Sequence, residues 1–375
     1  MGGIATHLNT LRTCAIRNGD VCDILISSNQ KTKKPGLFRE RKNLKTKDTT
    51  TLTCGEAPHH PDNVEETVEF LRKNYDGIVI GYLCPNQTSK YKGHDYLKIY
   101  ETKIPKVVWV MDGYFRKYGE SIPLVFDSAK MLKGVLCPQE NYAGRVVEEC
   151  KTRRVPLVIS RFPFLPMRGR LRGRSREPLL TWVNQWVAVK RLKHFFKSLS
   201  GIKRVNKELK AHLYGCGQDY YNIRSTEYWR ETVGRNLYHP DYCGEGWVEY
   251  RGNVSRSDIA QALSEAWVCC NLQGMNCDND SPYSRGSYNN TEVEALYYGT
   301  HPILHSTTRQ TILPQDVYST VDNITDLPET VHNVVQNYRG RSEEIRKERA
   351  RQFVYDTHYG PEKYLEMRSL LFPNG

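Results

Sequence analysis

Apolar and polar residues follow one another along the chain in blocks that predict helices and strands in turn. Near the N-terminus, Leu8, Leu11 and Ala15 recur with helical spacing, and an apolar segment at residues 21–27 predicts the next strand. Residues 107–111 form a continuous apolar run, which is typical of a strand buried on both faces. Strands that alternate with helices in this way predict an α/β protein.

The predicted strands fall into two groups, separated by a break in the pattern. The first group lies at residues 21–27, 76–83, 107–111, 134–137 and 155–160, and the second at residues 179–187, 211–217, 247–252, 267–272 and 302–304. Phenylalanine and proline at residues 162–166, followed by an arginine-rich run, interrupt the alternation. A chain of 375 residues also exceeds the usual size of a single core. We therefore place one Rossmann-like domain at residues 1–166 and a second at residues 178–340.

The composition excludes several classes of protein. The chain has no apolar run of about eighteen residues and no charged-then-apolar segment at its N-terminus, so we expect a soluble cytoplasmic protein with no membrane partner. It has 11 cysteines but no C-x-x-C pair, and only Cys269 and Cys270 are adjacent. We therefore expect neither a metal site nor a disulfide framework.

The formal net charge of +12 at pH 7 favours a polyanionic partner, either nucleic acid or the phosphates of a membrane. Much of this charge lies in two runs, residues 31–47 and 168–176, which have little apolar periodicity and are expected to be exposed loops. The candidate phosphate contacts within these runs are Lys33, Lys34, Arg39, Arg41, Arg170, Arg172 and Arg174. A solvated face that only promotes solubility is the alternative.

Residues 287–304 combine a polar loop with a predicted helix start. Thr291 and Glu294 have the spacing of a capping box, Gly299 ends the helix, and residues 302–304 predict the next buried strand. A helix N-terminus has unpaired N–H donors and about half a positive charge, so it is a favourable binding site for a phosphate. A carboxylate one turn further on can accept hydrogen bonds from ribose hydroxyls. The alternative is an ordinary capped helix with no ligand.

Asp112 is the first catalytic candidate because it directly follows the apolar run at residues 107–111. In open α/β sheets, ligands bind at the carboxyl ends of the strands. An Asp-Gly pair at that place is also typical of a simple turn, which is the alternative.

Residues 294–303 resemble the Glu-Ala to Gly-Pro segment of nucleotide-sugar glycosyltransferases with the GT-B fold. The resemblance implies two Rossmann-like domains that face a central cleft, with terminal helices at residues 341–375 that cross back to pack on the first domain. It also implies that Glu294 holds the ribose of the donor and that the helix start holds the diphosphate. Residues 2–8 resemble the first glycine-rich loop of these enzymes, although the strand that should precede that loop is missing.

Residues 107–114 resemble the strand and acidic turn of the bacteriophage DNA α-glucosyltransferases. That resemblance implies transfer of a sugar, glucose by default, from a UDP-sugar to the hydroxymethyl group of a modified pyrimidine in double-stranded DNA. It also implies retention of the anomeric configuration, extrusion of the target base, and action as a monomer. Asp112 would engage the acceptor hydroxyl. Met111 and Gly113 stand where that family has histidines, so contacts to the sugar or the choice of acceptor differ.

The same resemblances define a donor site that requires no metal, because two cations would neutralise the leaving diphosphate. Its implied residues are Gly3, Lys190, Lys193, Arg251, Tyr288, Asn289, Asn290, Thr291 and Glu294. Gly286 stands where many GT-B enzymes have a further glutamate, so other side chains must hold the donor sugar.

Two other functions are consistent with the sequence. The first is a GT-B glycosyltransferase that acts on a small molecule, a lipid or a surface glycan. The second is an inactive accessory protein that binds DNA, which the missing first strand and Gly286 both suggest.

Overall fold

The computed structural model of the chain shows two compact units, the first formed by residues 1–165 and 358–375 and the second by residues 166–357. The structure describes residues 3–22, 24–27, 51–54, 68–69, 71–81, 97–110, 121–138, 144–167, 171–184, 191–215, 246–252, 254–273, 290–306 and 313–373. Among these residues, no helix is both long and apolar enough to cross a membrane.

The first unit contains parallel strands with helices between them. In chain order, its described elements are α1 (Gly3–Arg17), β1 (Ile24–Ser27), β2 (Thr51–Cys54), β3 (Ile78–Ile80), α2 (Leu97–Tyr100), β4 (Lys106–Trp109), α3 (Ser121–Ser128), β5 (Leu132–Cys137), α4 (Gly144–Arg153) and β6 (Leu157–Ile159). Strands β3 to β6 form a four-stranded parallel sheet in sequence order, and β1 pairs with β2 in parallel.

Strand β4 is buried on both faces, which explains its continuous apolar run. Val107 and Trp109 belong to one apolar cluster, while Val108 and Val110 belong to another. Since successive side chains of a strand point to opposite faces, two packed faces favour apolar residues along the whole strand. Lys106 at its start is the exception: it is buried, and its Nζ donates to the carbonyl oxygens of Thr102 and Ile104. The prediction of a doubly buried strand here is confirmed.

The second unit is built on a six-stranded parallel sheet. Its described elements are β7 (Leu179–Val183), α5 (Leu192–Val205), β8 (Lys210–Tyr214), β9 (Val248–Gly252), α6 (Arg256–Glu265), β10 (Val268–Asn271), α7 (Asn290–Tyr298), β11 (His301–His305), β12 (Ser319–Val321), α8 (Leu327–Asn337) and α9 (Arg341–His358). The strand order is β12-β11-β10-β7-β8-β9, which is the Rossmann order. The strand order reverses between β7 and β10.

The last helix, α10 (Gly360–Leu371), belongs to the first unit. It packs against α1, β4 and β5, and Ser160 Oγ donates a hydrogen bond to Glu366 Oε2 at 2.7 Å. Tyr364 adds a hydrogen bond to Asp20, next to the end of α1. The C-terminal helix therefore returns to the first unit, as predicted.

Helix α9 does not pack on the first domain as predicted, because residues 341–357 belong to the second unit. Arg346 lies buried and donates to the carbonyl oxygens of Val317 at 2.9 Å and Gly299 at 3.2 Å. These buried hydrogen bonds join α9 to the second unit, so the expectation that all of residues 341–375 pack on the first domain is wrong for this helix.

Candidate functional site

The start of helix α7 lies over the point where the strand order of the second sheet reverses. Thr291 Oγ1 donates a hydrogen bond to the carbonyl oxygen of Val183, the last residue of β7, at 3.1 Å. Asn271, the last residue of β10, donates through Nδ2 to Glu292 Oε1. The first turn of α7 is therefore tied to both strands that border the crevice, which is where open α/β sheets bind ligands.

The C-terminal end of α7 follows from local sequence, but Thr291 is not the cap that the capping-box spacing predicts, because it lies inside the helix and its Oγ1 donates to Val183. The helix begins at Asn290, one residue before the position that the capping-box spacing predicts. It ends as predicted at Gly299, whose φ of 80° is a left-handed conformation that favours glycine. Strand β11 follows at once, so α7 and β11 form the predicted helix–strand unit.

Glu294 lies one turn into α7 and forms an ion pair with Arg256. Its Oε1 is 3.0 Å from Arg256 Nη2, and its side chain is only 9% exposed, against 32% for the arginine. Burial raises the pKa of Glu294, and the charge of Arg256 partly opposes that effect. The carboxylate thus has one fixed partner and can accept further hydrogen bonds from a ligand.

Arg256 owes its position to the start of helix α6. Ser255 caps this helix: Asp258 N–H donates to Ser255 Oγ at 3.2 Å, and Ser255 N–H donates to Asp258 Oδ2 at 3.0 Å. This reciprocal pair is a capping box, and it places Arg256 at the first helical position.

The start of α5 and the end of β11 lie at the same carboxyl edge of the sheet. Arg191 precedes α5 with a φ of 61°, and Lys193 is the second residue of that helix. His305 ends β11, and its Nε2 lies 3.3 Å from the carbonyl oxygen of Asp322. Burial lowers the pKa of His305, and the positive charge of Arg191 acts in the same direction. Arg191 therefore supplies a positive charge at this edge.

The structure brings only some of the predicted site residues together. Asn290, Thr291 and Glu294 lie on the first turns of α7, and Lys193 lies in the first turn of α5. The predicted residues that lie outside the described part of the chain are Asp112, Lys190, Tyr288, Asn289, Lys33, Lys34, Arg39, Arg41 and Arg170.

Two further predicted donor-binding residues belong to elements other than α5 and α7. Gly3 is the first residue of α1, so it does not belong to a glycine-rich loop. Arg251 Nη2 pairs with Glu249 Oε2 at 2.6 Å and lines a groove of about 530 Å³. The same groove is lined by Leu179 and Lys210, the first residues of β7 and β8, so it reaches the amino ends of these strands.

Two described arginines of the 168–176 run, both predicted to contact phosphate, differ from each other. Arg172 has a side chain that is 85% exposed, as predicted. Arg174 instead donates to the carbonyl oxygens of Leu263, Ala266 and Tyr298. The prediction that Arg174 lies on an exposed loop and contacts phosphate is wrong, because its guanidinium is occupied by acceptors within the second unit.

The sequence did not predict three of the site residues: Asn271, Glu292 and Arg256. Asn271 carried a usable signal, because it is a polar residue at the end of an apolar strand. Arg256 carried none, because its partner Glu294 lies on another helix and only the tertiary structure brings the two together. Among the described residues, no group of three or more His, Cys, Asp or Glu side chains could hold a metal ion.

Comparison with known proteins identifies the fold. No protein-family model and no curated protein sequence matches the chain. Among solved structures, HepE from Anabaena in complex with UDP-glucose has a TM-score of 0.70 and 11% identity, over 99% of this chain and 96% of that one. A glycosyltransferase from Rickettsia africae has a TM-score of 0.63 and 14% identity, over 100% and 96%.

Sucrose-phosphate synthase from Thermosynechococcus elongatus is also similar, with a TM-score of 0.64 and 12% identity over 98% of this chain and 92% of that one. Together with the two parallel sheets, the Rossmann strand order and the returning C-terminal helix, these similarities show that the chain has the α/β GT-B fold. At these identities they show the fold alone.

Proposed function

We propose that the protein is a glycosyltransferase that moves a sugar from a UDP-sugar to the hydroxymethyl group of a modified pyrimidine in double-stranded DNA. One observation carries the donor half of this proposal: the first turn of α7 is tied to both β7 and β10 at the crevice, through Thr291 and Glu292. The fold supports it, since HepE shares that fold and was solved with UDP-glucose.

The donor would lie along the carboxyl edge of the second sheet. Its diphosphate would face the N-terminus of α7, where backbone N–H groups and the helix dipole favour an anion. Lys190 and Lys193 would add positive charge, so that the leaving UDP is stabilised without a metal. Glu294 would accept hydrogen bonds from the ribose hydroxyls.

Asp112 would act on the acceptor. It follows β4, whose fully buried side chains fix the position at which the chain leaves the sheet. Its carboxylate would accept a hydrogen bond from the hydroxymethyl group and act as a base or an orienting group. The acceptor oxygen then forms a bond to the anomeric carbon as the bond from that carbon to the diphosphate breaks; the hydroxyl proton passes to Asp112 or to the departing diphosphate, and UDP leaves. We propose that the anomeric configuration is retained.

DNA would be held mainly through its phosphates. The net charge of +12, the lysines and arginines of residues 31–47, and the exposed Arg172 support this partner. A hydroxymethyl group within a duplex is hard to reach, so the target base would leave the helix to enter the site.

Mass spectrometry tests the proposal directly. Hydroxymethylated double-stranded DNA is incubated with the protein and a panel of UDP-sugars, and the nucleosides are then analysed for an added sugar. Asp112→Ala should abolish transfer, while the affinity for UDP, measured by calorimetry, stays unchanged. Normal transfer by that variant would remove Asp112 from the mechanism.

The same assay separates the alternatives. Transfer to a glycan, lipid or small-molecule acceptor but not to DNA would identify a GT-B enzyme with another acceptor. If UDP-sugars neither react nor raise the melting temperature but the protein still binds DNA, it is an accessory DNA-binding protein, because a ligand that binds only the native state must stabilise it.

A further inference from the structure

The pair formed by Arg256 and Glu294 joins the two helices α6 and α7. Glu294 is buried, with a relative exposure of 7%. A carboxylate buried without a partner would be costly. The guanidinium 3.0 Å away offsets that cost. The capping box of α6 fixes the backbone of Arg256 at the first position of the helix, from which its side chain reaches Glu294.

We propose that Arg256 is a positioning residue for the donor: it holds Glu294 ionised and oriented so that the carboxylate can accept hydrogen bonds from the ribose hydroxyls of the nucleotide. This inference rests on the proposed function, since it assumes that a UDP-sugar binds at α7. It goes further by assigning selectivity for a ribonucleotide to a pair of residues on two helices.

Among the described residues, Arg256 is the charged group that acts on Glu294. Tyr298, one turn further along α7, is a neutral phenol whose pKa is raised mainly by burial. Strand β11 also packs on α7 and carries two histidines, His301 and His305. Burial lowers the pKa of both histidines, and the carboxylates that act on them are Glu343 and Asp322 rather than Glu294.

Loss of Arg256 should therefore change both the orientation and the ionisation of Glu294. Burial already raises the pKa of this carboxyl group. Without the guanidinium, the pKa would rise further, so the group would protonate at a higher pH than in the wild type. A protonated carboxyl group has lost acceptor capacity for two hydroxyl donors.

Binding of UDP and of 2′,3′-dideoxy-UDP, measured by calorimetry, tests the inference. The wild type should prefer UDP, because only UDP offers ribose hydroxyls to Glu294. Arg256→Met should weaken UDP binding about tenfold while leaving the affinity for the dideoxy nucleotide unchanged. Arg256→Lys, which keeps the charge, should recover part of the preference, and Arg349→Met, which removes an exposed pair with Asp316, should change neither affinity.

The pH dependence gives a second measurement. In Arg256→Met, the preference for UDP should disappear as the pH falls, beginning at a higher pH than in the wild type. If the variant binds both nucleotides as the wild type does, or loses affinity for both equally, the positioning role is wrong. If the wild type binds neither UDP nor its dideoxy analogue, the proposed function itself fails, and the two failures are thereby distinguished.

Discussion

Arg172 and Arg174 lie two positions apart in the same basic run, yet their environments differ completely. Arg172 extends into solvent, with its nearest carboxylate, Glu265, 4.0 Å away. Arg174 donates to three carbonyl oxygens and to Thr300 Oγ1, and its guanidinium carbon lies 5.5 Å from the centre of the Tyr338 ring. Arg172 is exposed enough to contact a phosphate from solution. Arg174 instead bonds acceptors within the second unit.

This difference predicts different costs for the same substitution. Arg174→Met should lower the free energy of unfolding by on the order of 3 kcal/mol, because it leaves several buried acceptors without a donor. Arg172→Met should change it by less than about 0.5 kcal/mol, as expected for an exposed site. Urea denaturation of both variants measures the difference, and equal losses would contradict the assignment of Arg174 as a structural residue.

At the scale of elements, the end of α7 is fixed by both backbone conformation and packing. Gly299 has a φ of 80°, which strains any residue with a Cβ atom. A Cβ at this position would also lie 2.9 Å from Arg174 Nη2 and 3.2 Å from Arg351 Nη2. Arg174 Nη2 is held by the carbonyl oxygen of Tyr298 at 2.7 Å, so the glycine meets a packing requirement as well as a backbone requirement.

Gly299→Ala should consequently cost more than left-handed strain alone. We expect a loss of about 2 kcal/mol or more in the free energy of unfolding, measured by urea denaturation. Gly19 is the matched control, since its φ is 87° and no atom lies within 4 Å of its hypothetical Cβ. Gly19→Ala should cost only about 1 kcal/mol. A smaller loss at position 299 than at position 19 would rule out the packing contribution.

At the scale of the whole molecule, the chain returns from the second unit to the first at His358. This histidine is fully buried, and its Nδ1 lies 2.8 Å from the carbonyl oxygen of Phe162. Burial lowers its pKa to about 4, against the smaller opposing effect of that hydrogen bond. The folded protein thus keeps His358 neutral over a pH range in which the unfolded chain protonates it.

The sign of the pH effect follows from this comparison. Between pH 6.5 and 4 the unfolded state binds a proton that the folded state does not, so stability is highest above pH 6.5 and falls as the pH is lowered. The contribution of His358 between pH 7 and pH 5 should be about 2 kcal/mol. His358→Asn keeps an N–H donor for Phe162 but does not titrate.

Urea denaturation at pH 7 and pH 5 measures this contribution. Wild-type protein should lose about 2 kcal/mol more than His358→Asn between the two pH values. Other histidines with lowered pKa values, such as His212 and His301, add the same slope to both proteins and cancel in the difference. Parallel losses in the two proteins would show that His358 is protonated in the folded state.

Much of the fold was predictable because strands and helices follow local patterns. The run at residues 107–111 predicted a doubly buried strand, and Lys106–Trp109 is one. Gly299 predicted the end of α7, and its positive φ gives the reason. The sequence also predicted two Rossmann-like groups of strands, because strands, helices and the break at residues 162–166 are all local features.

The candidate site was predictable only in part, because it joins residues that are far apart in the chain. Thr291 and Val183 are 108 positions apart, and their hydrogen bond exists because β7 and β10 become neighbours in the sheet. Likewise, nothing near Arg174 in sequence shows that carbonyl groups of α6 and α7 surround it. Local hydrophobic patterning thus determined the elements and the α/β class, and the resemblance of residues 294–303 to a known segment indicated the GT-B fold. Only the order of the strands in the folded sheet decided which helix starts, which carboxylates and which cations lie at the same edge. The reason is that hydrogen bonds and ion pairs depend on distance in space.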